Sequence, residues 1–200
     1  MMINHFILGC LWLLYCALHS LLAGIAFKRK AQQWMQGNYK HYRLLYTFFA
    51  FAGLVAIVWY QVQLDSIYVL EQSIITNAIG LITSTAGIII MSICIGKYFV
   101  SLSGIKSLVQ ETNSHQLIIS GVHRYVRHPL YLGTFLFIWG LLLLFPLLSL
   151  LITNIIITAY TLVAIRFEEN KLVAEFGDEY RRYQQSVPKI LPLFKARRSL

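Results

Sequence analysis

The residues YLGTFLFIWGLLLLFPLLSLLITNIIITAYTLVAI run from Tyr131 to Ile165 and form the longest apolar stretch of the chain. These 35 residues would make a single helix of about 52 Å, whereas about 20 residues are enough to cross the hydrocarbon core of a membrane. Pro146 stands near the middle, where it removes a backbone donor and clashes with the preceding helical turn. The stretch therefore predicts two membrane-spanning helices, 131–145 and 147–165, joined by a tight hairpin.

Three more apolar stretches precede this hairpin, at residues 6–27, 44–60 and 74–96. Of the 200 residues in the chain, 58% are hydrophobic and 12% are charged, which is more apolar than a soluble core can bury. The first stretch lacks the positive leader and the cleavage site of a signal peptide, so we expect it to be retained as a span. The sequence predicts an all-α, polytopic membrane protein: about five transmembrane helices forming one domain, 1–200.

The basic residues indicate the orientation of this predicted bundle. All 17 lysines and arginines fall in segments that the five spans place on one side of the membrane. On the other side, the connection between spans two and three has two charged residues, Asp65 and Glu71, and both are acidic. The positive-inside rule then predicts an external amino terminus and a cytoplasmic carboxyl terminus, in a bacterial inner membrane. The net charge of +9 is explained by contact with anionic membrane lipids and requires no nucleic acid.

The sequence offers few signs of other chemistry. Cys10, Cys16 and Cys94 fall inside predicted spans without the spacing of metal ligands, so no metal site is expected. The chain has no glycine-rich phosphate loop, and nothing in it indicates an obligate protein partner. After the last span, residues 168–185 carry Leu172, Phe176, Tyr180 and Tyr183 at helical spacing, which predicts a carboxyl-terminal amphipathic helix. This helix either continues from the fifth span or lies on the membrane surface.

The predicted hairpin returns the chain to the face where it entered, and so brings two polar clusters together. Arg127, His128 and Tyr131 precede the hairpin, and Glu168 and Glu169 follow it. Basic residues and tyrosine beside a span are also ordinary topology signals, but such signals do not require adjacent carboxylates. A group of Arg, His and Tyr that faces two carboxylates is suited to bind a zwitterion.

Four motifs carry a family resemblance over residues 97–192. They are GVHRYVRHPLYLG at 121–133, the glutamate pair at 168–169, FGDEYRRY at 176–183 and Val187-Pro188. Their order and spacing resemble the isoprenylcysteine carboxyl methyltransferase superfamily of integral membrane methyltransferases. This superfamily also includes phospholipid N-methyltransferases and small-thiol S-methyltransferases. The resemblance implies S-adenosylmethionine as cofactor, bound by residues 97–130 and 166–192.

The resemblance also implies which residues contact the cofactor. They are His115, Gln116, Leu117, Ile118, His123, Arg127, His128, Pro129, Leu130, Tyr131, Glu168 and Glu169. Two departures from the family pattern concern the cofactor and the acceptor. His123 stands where the family usually has tyrosine. Ala164 stands where prenylcysteine enzymes place an arginine, and Arg166 follows two residues later.

The candidates for catalytic roles are Arg166, Glu168 and His19. The segments 18–22 and 42–46 resemble, more loosely, the branch that contains the methanethiol S-methyltransferases. A histidine within a span is costly unless it faces the bundle interior, so His19 is a candidate for the acceptor side. The alternative is an interhelical hydrogen bond, assisted by Ser20, that only holds the spans together.

These features favour an S-adenosylmethionine-dependent methyltransferase acting on a small thiol or lipophilic acceptor within a lipid environment. Alternatives within the family are prenylcysteine carboxyl methylation and phospholipid methylation. Outside methyl transfer, the alternatives are an NADPH-dependent membrane reductase of the sterol reductase type and a non-catalytic membrane accessory protein. Reductases of that type usually carry an Asn-Tyr pair where this chain has residues 128–131, His-Pro-Leu-Tyr.

Overall fold

The computed structural model describes residues 2–102, 117 and 119–192, and these residues form helices with short connections. The α-helices are α1 (Met2–Ala23), α2 (Ile25–Met35), α3 (Tyr42–Val62), α4 (Ile74–Leu102), α5 (Pro129–Leu144), α6 (Leu148–Phe176) and α7 (Asp178–Ser186). Two 3-10 helices, Gln36–His41 and Gly121–Arg124, precede α3 and α5. The prediction of an all-α, polytopic membrane protein is confirmed.

Four stretches contain a segment with the length and apolarity of a membrane-spanning helix: Met2–Ala23, Ile25–Val62, Ile74–Gly96 and Leu148–Phe176. The polar helix α2 and the end of α6 after Ile165 lie outside these apolar segments. Helix α5, with 16 residues, is a fifth apolar helix and is shorter than these. Large apolar side chains such as Phe6, Phe49 and Ile82 point outward and are more than half exposed. Such a surface is stable in lipid, where outward apolar groups are already in their preferred solvent.

The predicted hairpin is present. Helix α5 ends at Leu144 and α6 begins at Leu148, so Pro146 lies in the turn. The connection between α3 and α4 packs against this turn: the amide of Val69 donates to the carbonyl of Pro146 at 2.7 Å. In return, the amide of Leu148 donates to the carbonyl of Ile67 at 2.9 Å. These bonds satisfy backbone groups that would otherwise lack partners at the end of the bundle.

Two helix boundaries differ from the sequence prediction. The first span was expected at 6–27, but α1 ends at Ala23 and the chain bends at Gly24 into α2, a separate and more polar helix. The segment 168–185 was expected to form one amphipathic helix that continues from the fifth span or lies on the membrane surface. Helix α6 does continue to Phe176, but the segment is broken there and Asp178–Ser186 forms a separate helix. Gly177 then adopts φ 57°, a left-handed conformation that ends the helix and that glycine adopts at little cost.

Glycines allow α4 and α5 to pack with their backbones in close approach. A Cβ atom added to Gly87 would lie only 2.6 Å from the carbonyl oxygen of Gly133. One added to Gly80 would lie 2.9 Å from the carbonyl oxygen of Gly140. Small residues at such positions let membrane helices associate through close van der Waals contact. This packing fixes the beginning of α5 beside α4, and so positions the site described below.

Candidate functional site

The site lies where α5 begins and where the polar end of α6 leaves its apolar part, which spans 148–165. Its central contact joins Arg127 to Glu169: Nε donates a hydrogen bond of 2.8 Å to Oε1, and Nη2 lies 2.8 Å from the same oxygen. The guanidinium also donates from Nη1 to the carbonyls of Gln184 at 2.7 Å and Val187 at 2.6 Å. One buried cation therefore ties α6 to α7 and to the segment that follows α7.

Glu169 has two further cationic or polar neighbours. Nε2 of His128 lies 3.2 Å from Oε1, and Nζ of Lys189 lies 3.4 Å from Oε2. Burial raises the pKa of Glu169, but the hydrogen bond and charge of Arg127, followed by His128 and Lys189, outweigh burial and hold that pKa below its ordinary value. The carboxylate is therefore charged, and its oxygens are engaged within the protein.

Glu168, the adjacent residue, has a different environment. Its side chain is 47% exposed, whereas that of Glu169 is 8% exposed. The hydroxyl of Tyr131 donates to Oε2 of Glu168 at 3.2 Å, and Nδ1 of His128 lies 3.8 Å from the same oxygen. The rings of His128 and Tyr131 stack, with centroids 5.7 Å apart. Glu168 thus keeps a carboxylate surface that is open to a ligand.

A cavity of about 300 Å³ opens beside this carboxylate. Its lining consists of Cys94, His123, Arg127, His128, Pro129, Leu130, Tyr131 and Glu168. Glu169 is not among these lining residues, although it supports two of them, Arg127 and His128. The cavity combines one accessible carboxylate with aromatic and apolar walls, an arrangement that can bind an organic cation or a zwitterion.

The segment before α5 is held in place by backbone contacts. Nδ1 of His123 lies 3.1 Å from the carbonyl oxygen of Arg127, and the hydroxyl of Tyr183 donates to the carbonyl of His123 at 2.6 Å. The amides of Arg127 and His128 donate to the carbonyls of residues 188 and 189 at 2.9 and 3.1 Å. The segment that follows α7 is therefore part of the structure that shapes the cavity.

The structure brings together most of the residues that the sequence placed at a cofactor site. His123, Arg127, His128, Pro129, Leu130, Tyr131 and Glu168 line the cavity, and Glu169 lies directly behind it. Leu117 packs instead against the apolar cluster of Tyr180, Tyr183 and Val187. His115, Gln116 and Ile118 lie outside the described residues.

Two of the three catalytic candidates, His19 and Arg166, are not part of the lining of this cavity. His19 contacts Tyr46, whose hydroxyl is 3.0 Å from both ring nitrogens, and its ring meets that of Tyr160 at a centroid distance of 6.4 Å. Arg166 is exposed and does not line the cavity. Of the three candidates, only Glu168 belongs to its lining.

Sequence reasoning missed two residues of the site. Cys94 was assigned to packing, yet it lines the cavity from α4 as well as being buried. Lys189 was counted only as a basic residue near the carboxyl terminus, yet it contacts Glu169. The sequence held a signal for Lys189, which directly follows the Val187-Pro188 motif of the family resemblance and so could have been assigned to the site. It held no comparable signal for Cys94.

Comparisons with known proteins give a consistent result. The chain is 32% identical over 112 residues to a protein-S-isoprenylcysteine O-methyltransferase from Schizosaccharomyces pombe, covering 50% of this chain and 47% of the relative. It is 29% identical over 189 residues to methanethiol S-methyltransferase 1 from Bradyrhizobium diazoefficiens, covering 90% and 64%. It is 42% identical over 72 residues to a methanethiol S-methyltransferase from Crocosphaera subtropica, covering 35% and 27%.

The chain thus spans from about a quarter to under two thirds of the length of these relatives. No solved structure matches it significantly. The sequence model of one protein family, described as phospholipid methyltransferase, matches residues 74–179. That match covers α4, α5 and α6, and therefore both the hairpin and the glutamate pair of the site. The chain belongs to the phospholipid methyltransferase family.

Proposed function

We propose that this protein is a membrane methyltransferase that uses S-adenosylmethionine and methylates a small thiol or another lipophilic acceptor. The observation that carries the proposal is the difference between the two adjacent carboxylates. Glu169 is engaged by Arg127, His128 and Lys189, whereas Glu168 is half exposed and faces the cavity. A carboxylate so placed can bind the ammonium of an amino acid, and S-adenosylmethionine is a zwitterion with an additional sulfonium charge.

The walls of the cavity fit such a molecule. Cys94, Pro129 and Leu130 offer apolar surface, while Tyr131 and His123 offer a hydroxyl and a ring. His115, Gln116, Leu117 and Ile118 immediately precede this part of the chain, and their assignment as cofactor contacts rests on the family resemblance. The relatives named as methyltransferases support a methyl donor at this site.

In the proposed reaction, the residues of this chain position the donor and the acceptor and accept a proton. S-adenosylmethionine, when bound, supplies a methyl group on a positively charged sulfur. Glu168 and Tyr131 would hold the amino-acid end of the donor, and the close packing of α4 on α5 would help to exclude water from the site. A thiol acceptor must lose its proton before it attacks, and His19 or His123 can accept that proton.

His19 belongs to a polar group that α1, α3 and α6 form together. The hydroxyl of Tyr46 hydrogen-bonds to the imidazole of His19, and Tyr160 of α6 contacts the same ring. This group is the place where we put the acceptor, because a thiol held beside the His19 ring could pass its proton to the imidazole.

The proposal also includes the orientation of the protein in the membrane. Lys28, Arg43 and Arg127 lie at the same end of the bundle as Glu168, an end we call the basic end. The positive-inside rule supports placing the basic end on the cytoplasmic side of a bacterial inner membrane, with the amino terminus outside. The donor then enters from the cytoplasm, and the acceptor enters from the membrane.

Equilibrium dialysis of labelled S-adenosylmethionine against the purified full-length protein tests the proposal. Glu168→Gln should weaken binding by about tenfold or more, because a charge-assisted hydrogen bond is lost. His128→Ala should weaken binding as well. Glu179→Gln removes an exposed carboxylate of α7 and is the matched control, expected to bind as the unmodified protein does. Equal binding by Glu168→Gln and the control would reject the site, and binding of NADPH instead would reject methyl transfer.

A further inference from the structure

A second and larger cavity, of about 850 Å³, lies between α1, α2, the 3-10 helix Gln36–His41 and α3. Three cations, Lys28, Lys40 and Arg43, belong to its lining, and no carboxylate does among the described residues. This cavity, which we call the basic pocket, is separate in lining from the cavity beside Glu168. His19 and Tyr46 also belong to its lining, but the proposed methyl transfer does not use its cations.

Two cations of the basic pocket, Lys28 and Arg43, lie in one lining and are close enough for their charges to repel. Lys171 on α6 adds a third positive charge near Lys28. Like charges held together without an acidic partner destabilise a protein unless an anion offsets the repulsion. The arrangement therefore favours a negatively charged occupant.

The walls of the basic pocket are held by specific contacts. The hydroxyl of Tyr42 donates to the carbonyl of Leu22 at 2.6 Å, which fixes the beginning of α3 against the end of α1. The ring of Tyr42 stacks on that of Tyr39 with centroids 5.6 Å apart and planes 8° from parallel. Gln36, also in the lining, has a φ of 45°, the one positive value for a non-glycine residue in the described part of the chain.

The surroundings of the basic pocket are those of a membrane interface. Ile25, Leu45 and Phe48 are exposed apolar residues of the same two helices, and Trp34 of α2 is 77% exposed. Tryptophan at the end of a span, next to lysine and arginine, is typical of the headgroup level of a membrane. A ligand with an anionic head and apolar chains matches both the pocket and the surface next to it.

We propose that the basic pocket binds the phosphate of an anionic membrane lipid, with Lys28, Lys40 and Arg43 around the headgroup and the acyl chains along the exposed apolar residues of α2 and α3. Phosphatidylglycerol is the suitable probe because its headgroup carries a phosphate but no amine. Its binding is therefore independent of whether the protein methylates anything.

The test is native mass spectrometry of the full-length protein, purified in detergent and titrated with phosphatidylglycerol or with phosphatidylcholine. The unmodified protein should bind phosphatidylglycerol more tightly than phosphatidylcholine. The double variant Lys28→Gln/Arg43→Gln should lose about tenfold or more of that affinity, since each cation near an anionic lipid is worth about 1 kcal/mol. Arg29→Gln/Lys30→Gln removes two exposed charges from α2 outside the lining, and should bind within about twofold of the unmodified protein.

Equal losses in the two double variants would overturn the proposal, since they would indicate general surface attraction. No preference for phosphatidylglycerol over phosphatidylcholine would overturn it as well. Inorganic phosphate is a separate arm: a protein that binds free phosphate but not phosphatidylglycerol would reject the lipid as the source of the anion. If Lys28→Gln/Arg43→Gln does not fold, Lys40→Gln in the exposed 3-10 helix replaces it, with an expected loss of about fivefold and the same control.

Discussion

The guanidinium of Arg127 and the carboxylate of Glu169 form a buried ion pair across 42 residues of sequence. Arg127 stands just before α5, and Glu169 lies on α6 beyond its apolar part. The pair therefore closes the polar end of the hairpin. It also leaves Glu168, one residue earlier on α6, as the carboxylate that faces the cavity.

Replacement of Arg127 by glutamine should lower the free energy of unfolding by about 3–5 kcal/mol, because the buried charge of Glu169 loses its main partner. Denaturant titration in mixed micelles measures the change. Arg181→Gln is the control, since Arg181 pairs with Asp178 on the exposed surface of α7 and should cost no more than about 1 kcal/mol. Similar small losses in both variants would show that the Arg127 pair is not structurally important.

The stabilisation from Glu169 should depend on pH in a defined direction. Its pKa in the folded protein lies below the ordinary 4.5, so the stabilisation is present above about pH 4.5 and is lost as the pH falls through the folded value. The melting temperatures of the unmodified protein and of Glu169→Gln should therefore differ at pH 7 and converge toward acid pH. A difference that stays constant over this range would contradict the prediction.

An added methyl group at Gly87 should disrupt the packing of α4 on α5. Gly87→Ala places a Cβ 2.6 Å from the carbonyl oxygen of Gly133, so the helices must separate at a cost of about 1–3 kcal/mol. Gly96→Ala is a control on the same helix, where an added Cβ meets no atom within 4 Å. That variant should be neutral or slightly more stable. Thermal unfolding of both proteins in one detergent provides the comparison.

The orientation can be tested by labelling single cysteines in intact cells. In a chain without Cys10, Cys16 and Cys94, a membrane-impermeant thiol reagent should reach Asp65→Cys and should miss Asn38→Cys. Both positions are exposed, so the difference reports the side of the membrane. Permeabilised cells, in which both positions should react, serve as the control. Labelling of Asn38→Cys alone would place the basic end outside.

We expect the enzyme to prefer a small thiol over an acceptor that carries a carboxylate, because of the residues at positions 164 and 166. Ala164 offers no cation to an acceptor carboxylate, and Arg166 is exposed and outside the cavity lining. Burying an acceptor carboxylate without a cationic partner costs a few kcal/mol of binding free energy, which weakens binding by about a hundredfold or more. With labelled donor, a small alkyl thiol should therefore be methylated faster than farnesylcysteine. Efficient methylation of farnesylcysteine, abolished by Arg166→Ala, would show that Arg166 supplies the missing cation.

Local patterns were enough to predict much of this fold. Apolar length, the position of Pro146 and the distribution of basic residues predicted the spans and the hairpin, because each depends on the membrane and on short stretches of chain. The exact ends of α1 and α6 were not predictable in this way. They depend on a bend at Gly24 and on the left-handed conformation of Gly177, and sequence alone did not identify these glycines as the breaks.

The sequence by itself determined that Arg127, His128 and Tyr131 would meet Glu168 and Glu169, since a hairpin must bring its two ends to one face. Only the tertiary structure decided which carboxylate is engaged and which is open. On a helix, consecutive residues point about 100° apart, so the rotation of α6 against α5 turns Glu169 toward Arg127 and Glu168 toward the cavity. The positions of Cys94 and Lys189 in the site have the same origin, because they depend on packing between segments that are distant in sequence.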